Sequence, residues 1–228
     1  MRQLIYETCL WGRHRFDGWV MARAVYRKYS NEAAVCFHTQ RKKSHRYAAV
    51  LETTGYTQAA APAGSLEVLL MDVSKDKNQQ GDAPQLHFQI SATSKPSSLE
   101  SSSTDLPFTD PSFTDPSSTD PPSMCFLKTD LRQFLKESGD TNPIHRGDPA
   151  LVPGLWIFTR LYEPFSHMAC SPLPVLPIEY GIHLPIEYSI RLIRPTYTGQ
   201  PIYLKCENNT VTGSCDGLVH FHLQIKNL

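Results

Sequence analysis

From Trp19 to Val73 the chain alternates short apolar stretches, rich in Val, Leu, Tyr and Phe, with polar segments; the stretches fall at 19–29, 33–38, 47–52 and 66–73, and another follows at 86–91. Runs of that length and composition predict strands of an antiparallel sheet. Between the second and third runs, Arg41-Lys42-Lys43-Ser44-His45-Arg46 reads as a basic turn. Solvation is its first explanation, and contact with a coenzyme phosphate or an acidic carrier protein its second. Farther on, Leu131, Phe134 and Leu135 share one face of a helix predicted over 130–137, with Asp130 near its amino end. A second apolar stretch, 155–161, follows Val152-Pro153-Gly154 and predicts a buried helix with Gly154 in or near its first turn. Strand-type alternation returns at 188–194, 201–207 and 218–226.

The pattern breaks at 95–123, where Ser, Thr, Pro and Asp leave few large side chains to bury. A five-residue unit recurs there, as in Phe108-Thr109-Asp110-Pro111-Ser112 and Phe113-Thr114-Asp115-Pro116-Ser117. A period this short reads as a duplicated tether and not as a solenoid. The organisation expected is a sheet unit over 1–95, a low-complexity linker over 96–123 and a second unit over 124–228. An eight-residue echo, 176–183 repeated as 184–191, carries no functional signal.

Among 228 residues, 22 Lys and Arg balance 22 Asp and Glu, so no global field favours nucleic acid or an anionic membrane surface. The first ten residues, MRQLIYETCL, lack the apolar run of a secretory signal, and no stretch has the roughly 18 apolar residues of a membrane span. A cytoplasmic location is expected. Six cysteines are scattered without a CxxC pair, and reduced, mostly buried thiols are the expectation. His220 and His222 put two imidazoles on one strand face without a third ligand at matching spacing. Structural histidines are therefore expected, with no metal and no cofactor. Asn208-Asn209-Thr210 matches a glycosylation sequon that lacks an export signal to give it meaning.

The chemistry concentrates in Phe134-Leu135-Lys136-Glu137-Ser138-Gly139-Asp140-Thr141-Asn142-Pro143-Ile144-His145. Here a helix ends in a polar loop, turned by Gly139 and Pro143, with a carboxylate and an imidazole five positions apart. Held together, such groups can share a water, one accepting its proton while the other orients it.

This stretch resembles the signature of the MaoC-like hot-dog proteins, which include (R)-specific enoyl-CoA hydratases: a phenylalanine followed by a GDxNPxH loop. The likeness extends to Pro153-Gly154 at a helix start and to a strand ending in Arg194-Pro195, and covers about residues 126–228. It implies an α+β hot-dog fold, with a degenerate unit in the first half making a double hot-dog. It also implies interconversion of trans-2-enoyl and (R)-3-hydroxyacyl thioesters, a lyase activity of fatty acid metabolism. By position, Asp140 and His145 match the catalytic pair, Gly154 the amide that binds the thioester oxygen, and Asn142 a brace for the loop. The implied partner is an acyl-CoA or acyl-carrier-protein thioester, and a homodimer is compatible with it. Only the eight residues 146–153 separate His145 from Gly154, where the family commonly has about twice as many. That short cover keeps two alternatives open, a thioesterase on the same fold and a non-catalytic acyl-thioester-binding protein. Arg191 and Arg194 fit phosphate contacts or solubilising edge charge equally.

Overall fold

The computed structural model describes residues 1–73, 123–167 and 185–228. The strand expected at 86–91, nearly all of the tether and the first copy of the echo lie outside these residues. The elements run α1 (Arg2–Gly12), β1 (Trp19–Lys28), β2 (Cys36–His45), β3 (Ala48–Tyr56), β4 (Pro62–Asp72), β5 (Ser123–Cys125), α2 (Lys128–Ser138), a 3₁₀ turn (Pro143–Arg146), α3 (Gly154–His167), β6 (Ile186–Leu192), β7 (Pro201–Glu207), β8 (Thr210–Cys215) and β9 (Leu218–Asn227).

These nine strands form one antiparallel sheet in the order β2-β3-β4-β1-β6-β9-β8-β7-β5. The order repeats internally. In each half a helix precedes four strands, and the first of these lies beside the fourth, then the third, then the second. The halves meet where β1 pairs with β6, in a register that sets Ala24 opposite Ile190 and Tyr26 opposite Tyr188. This is the α+β double hot-dog arrangement. Among the described residues, β5 at the edge of the second half has no counterpart beside β2.

Alternation on β3 puts Ala49, Leu51 and Thr53 inward, while Ile5 of α1 and Phe158 and Leu161 of α3 close the core from the helix side. An aromatic series ties the helices together: Tyr6 meets Phe134, which stacks on Trp156 at 5.7 Å, and Trp156 meets Phe126 edge-on at 4.9 Å.

The structure departs from the sequence reading in several places. The basic segment 41–45 is not a turn but the second half of β2, and the reversal is confined to Arg46 and Tyr47. Charge hid the strand, because among the described residues β2 is an exposed edge, whose Lys42 reaches across to Glu52 at 3.1 Å and Glu67 at 3.4 Å. Helix α1 was not foreseen, although Leu4, Ile5 and Thr8 are buried at helical spacing. Of the described cysteines only Cys215 is buried; Cys9 and Cys206 are half-buried and Cys36 and Cys125 are exposed. No helix among the described residues is long and apolar enough to cross a membrane.

Candidate active site

Leu131, Phe134 and Ser138 bury one face of α2, and Gly139, at φ +68°, ends the helix in the left-handed conformation that glycine adopts without strain. The chain then folds on its own side chains. Asp140 Oδ1 accepts the Asn142 amide proton at 2.9 Å, and Asn142 Oδ1 accepts that of Ile144 at 3.4 Å. With Pro143 presetting φ, Asn142 starts the 3₁₀ turn that carries His145 inward.

His145 is buried and Asp140 half-buried, with His145 Nε2 3.7 Å from Asp140 Oδ2. On its other side His145 Nδ1 lies 2.8 Å from the Leu151 carbonyl oxygen. A carbonyl only accepts, so Nδ1 carries the proton and Nε2 presents its lone pair towards Asp140. The gap is too long for a direct hydrogen bond, yet one water or hydroxyl can bond to both groups from its side. Burial holds the His145 imidazole below its ordinary pKa of 6.5, against the opposing pull of the Asp140 carboxylate and the Leu151 carbonyl. At neutral pH it is therefore uncharged and able to accept a proton.

The Leu151 carbonyl is itself fixed. Val152 N–H donates to Thr196 O at 2.8 Å, Thr198 N–H to Ala150 O at 2.9 Å, and Thr198 Oγ1 accepts from Ala150 N–H at 3.1 Å. Three residues beyond Leu151, Gly154 opens α3 and leaves first-turn amides without a partner in the helix. Its lack of a side chain is required there, since a Cβ would come within 2.5 Å of Leu192 Cδ1 and 2.7 Å of Met21 Cε.

The first half also reaches the loop. Asn142 Oδ1 accepts the Gly18 amide proton at 3.0 Å and Asn142 Nδ2 donates to Trp19 O at 2.8 Å. Arg13 Nε donates to Gly139 O at 3.1 Å, and His14 Nδ1 lies 3.5 Å from Thr141 Oγ1. Cys9 lies close behind, its thiol pushed up by burial and by the Asp140 carboxylate, with a Ser138 hydrogen bond opposing.

The structure thus brings Asp140, Asn142 and His145 together; Gly154 follows Leu151, the acceptor of His145, by three residues and makes no hydrogen bond to either side chain of the pair. Sequence reasoning missed Leu151, Gly18 and Trp19, which act through backbone groups and leave no side-chain signal. It also passed over Arg13 to Arg15, whose clustered charge was visible. Arg194 donates to Val219 O at 2.9 Å, and Arg191 lies opposite Arg23 on β1. Hydroxyls meet both histidines of β9, Thr196 at 3.3 Å from His220 and Thr212 at 3.0 Å from His222. No cluster of three His, Cys, Asp or Glu side chains suited to a metal occurs among the described residues.

No family profile matches the sequence, and no curated protein matches it. Solved structures do match. HtdX from Mycobacterium tuberculosis superposes with a TM-score of 0.53 at 16% identity, over 93% of this chain and 78% of its own. A MaoC-like dehydratase gives 0.54 at 15%, over 99% and 83%. An acyl-ACP thioesterase from Bacteroides thetaiotaomicron gives 0.48 at 12%, over 91% and 76%. At these identities the likeness is one of fold, and the fold of this chain is the hot-dog fold.

Proposed function

We propose that this protein acts on acyl thioesters as a hydratase or dehydratase, interconverting trans-2-enoyl and (R)-3-hydroxyacyl forms linked to coenzyme A or a carrier protein. One observation carries the reading: a neutral His145, fixed in one tautomer by Leu151, faces Asp140 across a 3.7 Å gap that a water can bridge. The fold alone would not carry it, because one fold houses many chemistries.

In hydration the bridging water gives a proton to His145 Nε2 while its oxygen attacks C3 of the enoyl group. The double-bond electrons move through C2 onto the thioester oxygen, giving an enolate. The proton returns to C2, the carbonyl re-forms, and the Asp140–His145 pair ends as it began. Groups of this kind contribute about 10² to 10⁴ in rate. Gly154 is assigned the enolate: an amide at a helix start adds the partial positive charge of the helix dipole, and losing one such donor costs roughly 2.7 to 4 kcal/mol. Asn142 is assigned the bracing of the loop, through its bonds to Gly18 and Trp19.

Loss of enoyl absorbance from crotonyl-CoA tests the reading. Asp140→Asn and His145→Ala should each lower the rate by about 10² or more while the circular dichroism spectrum is kept. Wild-type turnover in both variants would reject the assignment. Release of free thiol without 3-hydroxyacyl product would instead make the protein a thioesterase.

A further inference from the structure

The turn between α1 and β1 holds a charge surplus that the proposed reaction does not use. Arg13, His14 and Arg15 are consecutive and exposed, and Asp17 is the sole carboxylate between them and β1. The chain as a whole is neutral, with 22 basic and 22 acidic residues, so the surplus is local. Cations that join the two halves are matched, Arg2 to Glu137 at 2.7 Å and Arg27 to Glu187 at 2.8 Å. Neither Arg13 nor Arg15 has a carboxylate partner among the described residues, and His14 has Asp17 alone, at 3.9 Å. Adjacent like charges repel, and an anion on the turn relieves that repulsion.

Position and shape give the surplus a use. Arg13 Nε donates to Gly139 O and His14 lies against Thr141, so the turn flanks Asp140 from both sides in sequence. Asp140 is the more open member of the pair, its side chain 20% exposed against 7% for His145. The Arg15 guanidinium lies 4.2 Å from the Trp11 ring centre, a stack that orients its planar group and leaves the edge N–H donors available. An arginine fork presented edge-on matches phosphate oxygens in pairs.

We infer that the Arg13–Arg15 turn binds the phosphate-bearing handle of the thioester, whether the diphosphate of coenzyme A or the phosphate of a phosphopantetheine arm. The inference rests on the acyl-thioester reading above and adds to it where the substrate is gripped. The degenerate first half then contributes the handle site, and the second half the chemistry.

Calorimetric titration of the full chain with coenzyme A, 4′-phosphopantetheine and pantetheine tests this without requiring turnover. Arg15→Gln should weaken coenzyme A binding about tenfold and leave pantetheine binding unchanged. Arg15→Lys should recover part of the loss, and added salt should weaken the phosphate-bearing probes alone. If 4′-phosphopantetheine follows coenzyme A, the shared phosphate is the one bound; if only coenzyme A weakens, the nucleotide phosphates are. Both results uphold the inference. Unchanged coenzyme A affinity in Arg15→Gln and in Arg13→Gln/Arg15→Gln, an equal loss for pantetheine, or a wild-type chain that does not prefer the phosphate-bearing probes overturns it. Coenzyme A bound through the turn without hydration removes the reaction and keeps the site. Hydration of an N-acetylcysteamine thioester with no preference for coenzyme A does the reverse.

Discussion

Replacing Asn142 with alanine removes three hydrogen bonds from the loop that carries Asp140 and His145. Two of them cross to the first half, from Gly18 N–H at 3.0 Å and to Trp19 O at 2.8 Å; the third, from Ile144 N–H, is long at 3.4 Å and adds little. Each good bond contributes about 0.5 to 1.5 kcal/mol net, and Gly18 and Trp19 are half-buried, so water replaces only part of what they lose. The expected loss is about 2 kcal/mol. Urea unfolding measures it: with a slope near 2.5 kcal/mol/M the midpoint should fall by about 0.8 M and the slope stay unchanged. Hydration should fall with it, because the same residue fixes the entry to the 3₁₀ turn. Asn142→Asp should cost a similar amount, since it keeps one acceptor but turns a carboxylate oxygen towards the Trp19 carbonyl. A loss below about 0.5 kcal/mol in Asn142→Ala would show that the contact does not clamp the loop.

Gly154→Ala should destabilise by about 1 to 3 kcal/mol and lower kcat, since its Cβ would meet Leu192 Cδ1 at 2.5 Å and Met21 Cε at 2.7 Å. An unobstructed helical site would gain about 1 kcal/mol from the same change, so thermal unfolding gives the sign, and Leu192→Ala in the same chain should recover part of the loss. The acid limb of kcat/KM should lie below pH 6.5, because burial lowers the native pKa of His145 from that value and the neutral imidazole is the proposed base. Between that lowered pKa and pH 6.5 the unfolded chain binds the proton that the native one refuses, so stability rises with pH through this window and is lost as pH falls through it. Asp140→Asn removes the charge that holds the His145 pKa up, so an NMR titration of the imidazole should move to still lower pH. A midpoint at or above 6.5 would contradict the burial argument.

The legible parts of the chain were those where side chains speak for themselves. The loop from Gly139 to His145 was readable because each of its turns is written in residue type: glycine at positive φ, aspartate and asparagine bonding local amides, proline presetting φ. Helix α3 showed through its largely apolar stretch, and β7 and β9 through alternation. Strand β8 went unseen because its inward set, Val211, Gly213 and Cys215, holds one large apolar side chain, with Gly213 leaving its space to the Phe221 ring. The second half of β2 was hidden by charge on an exposed edge. What the sequence could not show was the seam. Pairing of β1 with β6 joins residues more than 150 positions apart, edge to edge within one sheet, and is supported by the Arg27–Glu187 contact across the seam.

The seam also explains why a half without the GDxNPxH loop remains part of the site. Met21 of β1 and Leu192 of β6 both pack against Gly154, so the start of α3 is seated on a strand from each half. Gly18 and Trp19 precede Met21 by three and two positions and hold Asn142, so a single strand end touches both the helix start and the loop. A shift of β1 along β6 would move both contacts at once. The first half therefore need carry no reacting side chain to govern the geometry of the Asp140–His145 loop. Substitutions at the β1–β6 register should change the rate before they change the fold.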